Sequence, residues 1–295
     1  MLEHADSLSV LAVRPESQTD VTFRWFNSDG SAQDGTLTIL YSPSAGERAE
    51  WHFGEFHLIN IATNGKLIIS GRNSSSIPAA VRMVGNIVPI HLVRFDHADT
   101  IRAISESVVR GRAALCIQFD TTYGSNTTAN EICIDKSLGT MVRFQEGADV
   151  TENSEWFQFD GAYFPARIDL FRHGVEEVEI HESQQKIEGQ LDANVFLPPP
   201  GAEIKTRCHD VKRPFIQSTP QPPAGNAGSG ITDVFLHGTI NKDGIVRSIV
   251  VDQSDRTDLN AEAIQTVSHW SFSSALCDGK PMNWEANFVV HFQGR

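Results

Sequence analysis

The sequence predicts an α+β chain, with an N-terminal antiparallel β-sheet that carries helices and a C-terminal ββαβ unit. Three observations lead there. Short runs of aromatic and β-branched residues, separated by turn residues, fill most of 1–203. A stretch rich in Pro, Gly and polar residues, 204–230, breaks the pattern. From 231 onward period-two alternation gives way once to a helical period and then returns. The length of 295 residues exceeds the roughly 100–200 usual for one domain. Domains are therefore expected at 1–203 and 231–295, with 204–230 as a linker.

The first strands are expected at 21–25, 35–41, 49–53, 56–61 and 66–70, divided by Ser28-Asp29-Gly30, Ser42-Pro43, Gly54 and Asn64-Gly65. Such close spacing of turns predicts an antiparallel meander. Two helices should follow. Pro78 suits a first helical turn, Val81, Val84 and Val88 share a face, and Pro89 stops the run. A second helix is expected from Asp99 as N-cap, with Ile101, Ile104 and Val108 as its apolar stripe. Strands resume around 113–119 and 131–135, then at 140–144, 155–159, 166–171 and 175–182, the last two joined at His173-Gly174.

Four cysteines bear on the compartment. Cys116 and Cys133 lie in two alternating stretches joined by a polar loop, which makes them candidates for a cross-strand disulfide, with two buried free thiols as the alternative. Cys208 and Cys277 are a second candidate pair. An even count of well-separated cysteines, without CxxC or His-rich spacing, fits an oxidising compartment better than a metal site.

Gly161-Ala162-Tyr163-Phe164-Pro165-Ala166-Arg167-Ile168 and the closing Phe196-Leu197-Pro198-Pro199-Pro200-Gly201-Ala202 resemble the periplasmic lipoprotein-carrier (LolA/LolB-like) fold. That resemblance implies a curved antiparallel sheet wrapped around helices, its concave face holding acyl chains. The same aromatic residues would equally fill an ordinary core.

In the C-terminal part Val234, Leu236 and Ile240 alternate up to a turn at Asn241-Lys242-Asp243-Gly244, and 245–251 return as the second strand. Asp258 is the expected N-cap of a helix whose Leu259, Ala263, Ile264 and Val267 face the hairpin. Asp278-Gly279-Lys280-Pro281 turns the chain into a last strand, 284–292. The hairpin with Asp243-Gly244-Ile245-Val246, Leu259 to Ala263, Trp270-Ser271-Phe272 and Gly279-Lys280-Pro281 resemble the TonB C-terminal domain family. Ser274-Ala275 stand where that family has proline-alanine. The resemblance implies an open sheet edge at which an extended peptide from an envelope protein pairs. Strand 284–292 would be that edge, with Glu285, Asn287, Val289 and His291 as outward side chains. Coverage of the same edge by the Pro-rich linker, or by a second copy in a homodimer, is the alternative.

Composition excludes other classes. A net charge of −13, with scattered Lys and Arg, argues against nucleic acid and anionic membrane surfaces. No apolar run reaches the ~20 residues of a membrane span, so the energy coupling of TonB through a membrane-anchored helix is not expected. Residues 1–9 lack the features of a signal peptide. No catalytic signature is present. Gly-x-Ser-x-Gly is missing, His181-Glu182 lacks a second metal-ligand histidine, and Gly225 to Gly230 lack the Lys of a phosphate loop. His52 and His57 should lie on opposite strand faces unless a turn at Gly54 intervenes. Asp96, His97 and Asp99 read as a helix start rather than a metal site, and Glu176-Glu177 as residues facing opposite ways. No cofactor and no enzyme activity is expected. The reading is a periplasmic binding protein for an envelope protein or peptide segment, with an apolar ligand of the first domain or a structural role as alternatives.

Overall fold

The computed structural model describes residues 15–27, 29–63, 65–71, 77–88, 99–123, 126–206, 208, 210–222, 231–254 and 256–293. Two units result, Met1–Arg207 and Cys208–Arg295.

The first unit is organised by one sheet. A meander of β1 (Ser17–Phe26), β2 (Ala32–Ser42), β3 (Gly46–Phe53), β4 (Phe56–Thr63) and β5 (Lys66–Ser70) is followed by α1 (Ala79–Ile87). A second meander comprises β6 (Asp99–Val109), β7 (Arg112–Tyr123), β8 (Asn126–Asp135), β9 (Met141–Glu146), β10 (Asp149–Phe159), β11 (Ala162–Arg172) and β12 (Val175–Lys186). Antiparallel pairing of β1 with β12 joins the two meanders. β13 (Glu203–Thr206) returns to pair with β5, which completes a 13-stranded antiparallel sheet.

Alternation decides which side chains meet. Val21, Phe23 and Trp25 of β1 share a face with Leu37, Trp51, Leu58, Ile168, Leu170, Val178 and Ile180, and α1 lays Ala80, Val81 and Val84 on this layer. Gly85 brings the helix close, since a Cβ there would stand 3.5 Å from the Trp51 ring. On the meander's other face Ile59, Ile61 and Ile68 pack under Phe196. A 3-10 turn, Ala193–Phe196, presents that ring, and the Asp192 side chain caps it through the amide of Asn194. Pro165 pairs with Trp156 in unshifted register, next to Glu155, which has φ 54°.

The second helix expected from Asp99 is instead strand β6. A register shift between Ile101 and Ala103 sets Ile101 opposite Phe119 and Ile104 opposite Ile117. One extra residue thus puts positions three apart on one strand face, which imitates helical spacing. Asp96 and His97 lie outside the described residues, and Asp99 accepts the hydroxyl of Thr121 at 2.6 Å. His52 and His57 are likewise register partners across the Gly54 turn, so they share a face.

Both candidate disulfides are present. Cys116 and Cys133 are direct register partners on β7 and β8, and Cys208 is joined to Cys277.

In the second unit β16 (Ile231–Ile240) lies between β17 (Val246–Ser254) and β21 (Trp284–Gln293), antiparallel to both. α2 (Asn260–Ser268) places Ala263 and Val267, with Leu259 beside them, on a core of Val234, Leu236, Ile240, Val246, Phe288, Val290 and Phe292. Asp258 does not cap α2. A 3-10 turn, Thr257–Leu259, precedes the helix, and the Asp258 carboxylate accepts Arg256 Nη2 at 2.6 Å.

Short strands β18 (Ser271–Phe272), β19 (Ala275–Cys277) and β20 (Lys280–Met282) separate α2 from β21. Part of the expected linker folds onto them. β14 (Val211–Lys212) pairs with β19 and β15 (Ile216–Ser218) pairs with β18, while 203–206 already belong to the first unit's sheet. The Pro/Gly count concealed this. Proline forbids donation only at its own nitrogen, and the β-branched Ile204, Val211 and Ile216 between the prolines are free to pair.

Candidate functional site

The outer face of the β17-β16-β21 sheet is assembled by the same alternation that builds its core. With Val234, Leu236 and Ile240 turned inward, Asp233, Phe235, His237 and Thr239 of β16 leave on the opposite side. Register brings His291 beside Asp233, Val289 beside Phe235, Asn287 beside His237 and Glu285 beside Thr239. Glu285, Asn287 and His291 are exposed and Val289 is half-buried, so the four residues expected to face outward occupy one row of β21.

Two imidazole–carboxylate contacts cross this face. His291 Nδ1 lies 2.7 Å from Asp233 Oδ1, and His237 Nδ1 lies 2.6 Å from Asp252 Oδ1. Asp233 is buried although it is on the outer face, while His291 is mostly exposed. These pairs were not foreseen, because an Asp and a His 58 positions apart become neighbours only once strand register is known.

The two long flanking strands differ in their suitability for a partner. β21 runs in unbroken register with β16 from Ile231↔Gln293 to Ile240↔Trp284. β17 shifts register twice against β16 and has Ser248 at φ 52°, so its outer line of N–H and C=O groups is kinked. Bulges of this kind blunt an edge. The regular edge is therefore that of β21, which has one strand neighbour in the sheet among the described residues.

Aromatic packing fixes β21 from below. Trp270 meets Phe288 edge-on at 5.9 Å between centroids, and Phe272 lies at the same distance tilted by 50°. Trp270 Nε1 donates to the carbonyl of Pro220 at 3.1 Å, which satisfies the indole and ties the 210–222 segment down. Ala275, in the Ser274-Ala275 pair, is fully buried.

Several titratable residues of the first unit lie in ion pairs. His181 Nε2 contacts Glu179 Oε1 at 2.6 Å, and Glu177 pairs with Arg172 at 3.0 Å. Asp169 is fully buried between Arg110 and Arg167, at 2.6 and 2.9 Å.

Residues 231–293 match the family model described as the Gram-negative bacterial TonB protein C-terminal. No curated protein matches the chain. Among solved structures, the chain is similar to a putative outer membrane lipoprotein-sorting protein domain from Vibrio parahaemolyticus, with 11% identity, TM-score 0.42, and coverage of 66% of this chain and 93% of that one. A LolA superfamily protein from Nitrosomonas europaea has 12% identity and TM-score 0.42, covering 66% and 97%. The Pseudomonas aeruginosa MucA/MucB complex has 11% identity and TM-score 0.32, covering 91% and 98%.

Proposed function

We propose that this chain is a periplasmic binding protein whose second unit captures an extended peptide, or a segment of an envelope protein, as an added strand beside β21. The observation that carries the reading is the unbroken ten-residue β21, paired with β16 on one side and open on the other among the described residues. Its outward main-chain groups are a template that a partner strand satisfies. Glu285, Asn287, Val289 and His291 then bear on selectivity through their row of side chains. The TonB C-terminal match over 231–293 supports the same reading, with β16, β17, α2 and β21 as a ββαβ order into which three short strands are inserted. Two disulfides support an oxidising compartment.

Native mass spectrometry of protein isolated from the envelope of its own host tests this. A bound peptide or protein that is lost from a Val289→Lys/His291→Glu variant supports capture at β21. A partner that survives these substitutions, or none at all, overturns it.

A second reading, carriage of an acyl chain by the first unit, is favoured by a separate observation. Ile101, Ile104 and Val108 of β6 are 54%, 60% and 70% exposed. Ile101 and Ile104 stand on the sheet face that carries Ile117 and Phe119. A co-isolated lipid in the same experiment would support it.

A further inference from the structure

On β3 and β4 of the first unit, one carboxylate and two imidazoles converge. Glu50 and His52 stand two apart on β3 and therefore leave the same face. His57 faces His52 as its register partner on β4. The two imidazoles are stacked, with centroids 4.5 Å apart and planes at 17°. Both rings aim Nε2 at one oxygen. Glu50 Oε1 lies 2.9 Å from His57 Nε2 and 3.5 Å from His52 Nε2. One donor atom from each residue falls within 4.8 Å of the others.

We propose that Glu50, His52 and His57 form a binding site for a divalent transition metal ion, of the zinc, copper or nickel class. Two imidazoles with one carboxylate are a donor set that suits these ions, whereas Mg2+ and Ca2+ prefer oxygen alone. Tetrahedral zinc with bonds of about 2.0–2.1 Å holds its ligand atoms roughly 3.4 Å apart. The Glu50–His52 spacing of 3.5 Å already matches, and the Glu50–His57 spacing of 2.9 Å needs a small opening. Both histidines sit on paired strands, so their backbones are held in place before an ion arrives.

The carboxylate is oriented from behind. Arg48 Nη2 donates to Glu50 Oε2 at 2.7 Å, and Arg48 Nη1 donates to the carbonyl of Val195 at 3.2 Å. Oε1 is thereby left to the histidines, as an outer-shell partner orients a metal ligand. The guanidinium charge lowers the affinity without blocking the site. His52 is more than half exposed, so water can complete the coordination. The first unit holds another cluster, Asp169, Glu176 and Glu179, but it offers carboxylate oxygens without an imidazole, and Arg110 and Arg167 already occupy Asp169.

Isothermal titration of the untagged full chain with ZnCl2 in a non-chelating buffer tests the site. One equivalent should bind. His52→Ala and His57→Ala should each weaken binding at least tenfold, and His181→Ala should leave it unchanged. With Cu2+ as probe, electron paramagnetic resonance should show two coordinated nitrogens in the wild type and one in His52→Ala. Absence of saturable binding to the wild type overturns the proposal, as does binding that the His52→Ala/His57→Ala double variant retains. Since His52 is exposed on a paired strand, its variant is expected to fold, and circular dichroism checks this.

Discussion

The carbonyl of Gly244 accepts the amide of Phe272 at 2.9 Å, and a Cβ on Gly244 would stand 1.8 Å from the Phe272 carbonyl oxygen. The turn at residues 241–244 and the aromatic strand after α2 are thus locked together through backbone alone.

Gly244→Ala should therefore be severe. The residue has φ 81°, which a side chain tolerates poorly, and the clash is with backbone that cannot rotate away. A loss of at least about 2 kcal/mol is expected by chemical denaturation. Ala at Gly279, whose φ is 78° with nothing within 4 Å of its Cβ, should cost less.

Cys208 and Cys277 are 69 positions apart, and their bond stands beside the pairing of β14 with β19. Replacing both with serine should lower stability by about 4 kcal/mol, the size expected from closing a loop of this length. Limited proteolysis should then cut near Lys212 and Arg213, before the rest of the second unit.

Asp135 links acid to stability. Burial opposes its charge, yet the Arg112 guanidinium at 2.5 Å, the Ser137 hydroxyl and the amides of Leu138 and Ser137 hold its pKa at about 2, below the ordinary 3.8. A depressed carboxyl pKa contributes stability that is fully present above pH ~4 and is lost as pH falls toward 2. The contribution is on the order of 2 kcal/mol. Asp135→Asn should flatten that part of the stability curve in denaturant titrations at pH 2–5.

Amide hydrogen exchange reads the state of β21 directly. Alternate N–H groups of residues 284–293 should be protected by β16, and the intervening ones should exchange rapidly in the free protein. Uniform protection along β21 would mean that the edge is already paired, and ultracentrifugation would then identify a homodimer.

Local chemistry was legible in the sequence, and pairing was not. The Asn241 to Gly244 turn announces itself because a glycine with positive φ closes it, and the alternation around Val234 and Leu236 already names the core. β6 was obscured by a single inserted residue that gave Ile101 and Ile104 a helical interval. His52 and His57 depended on the tightness of the turn at Gly54. The openness of β21 and the contact of His291 with Asp233 are properties of sheet order, which no local window contains.

The seam between β1 and β12 has a consequence for the timing of assembly. Every other junction from β1 to β5, and from β6 to β12, joins strands consecutive in the chain, whereas Val21 must find Glu182. Closing so long a loop is slow compared with forming hairpins. A polypeptide emerging amino-end first can zip each meander separately, but β1 waits for the last strand of the second. Pulse-labelled exchange should show the amides shared by β1 and β12 among the last in this sheet to become protected. Until that moment two long unpaired margins are exposed, and this interval is when the chain is most vulnerable to aggregation.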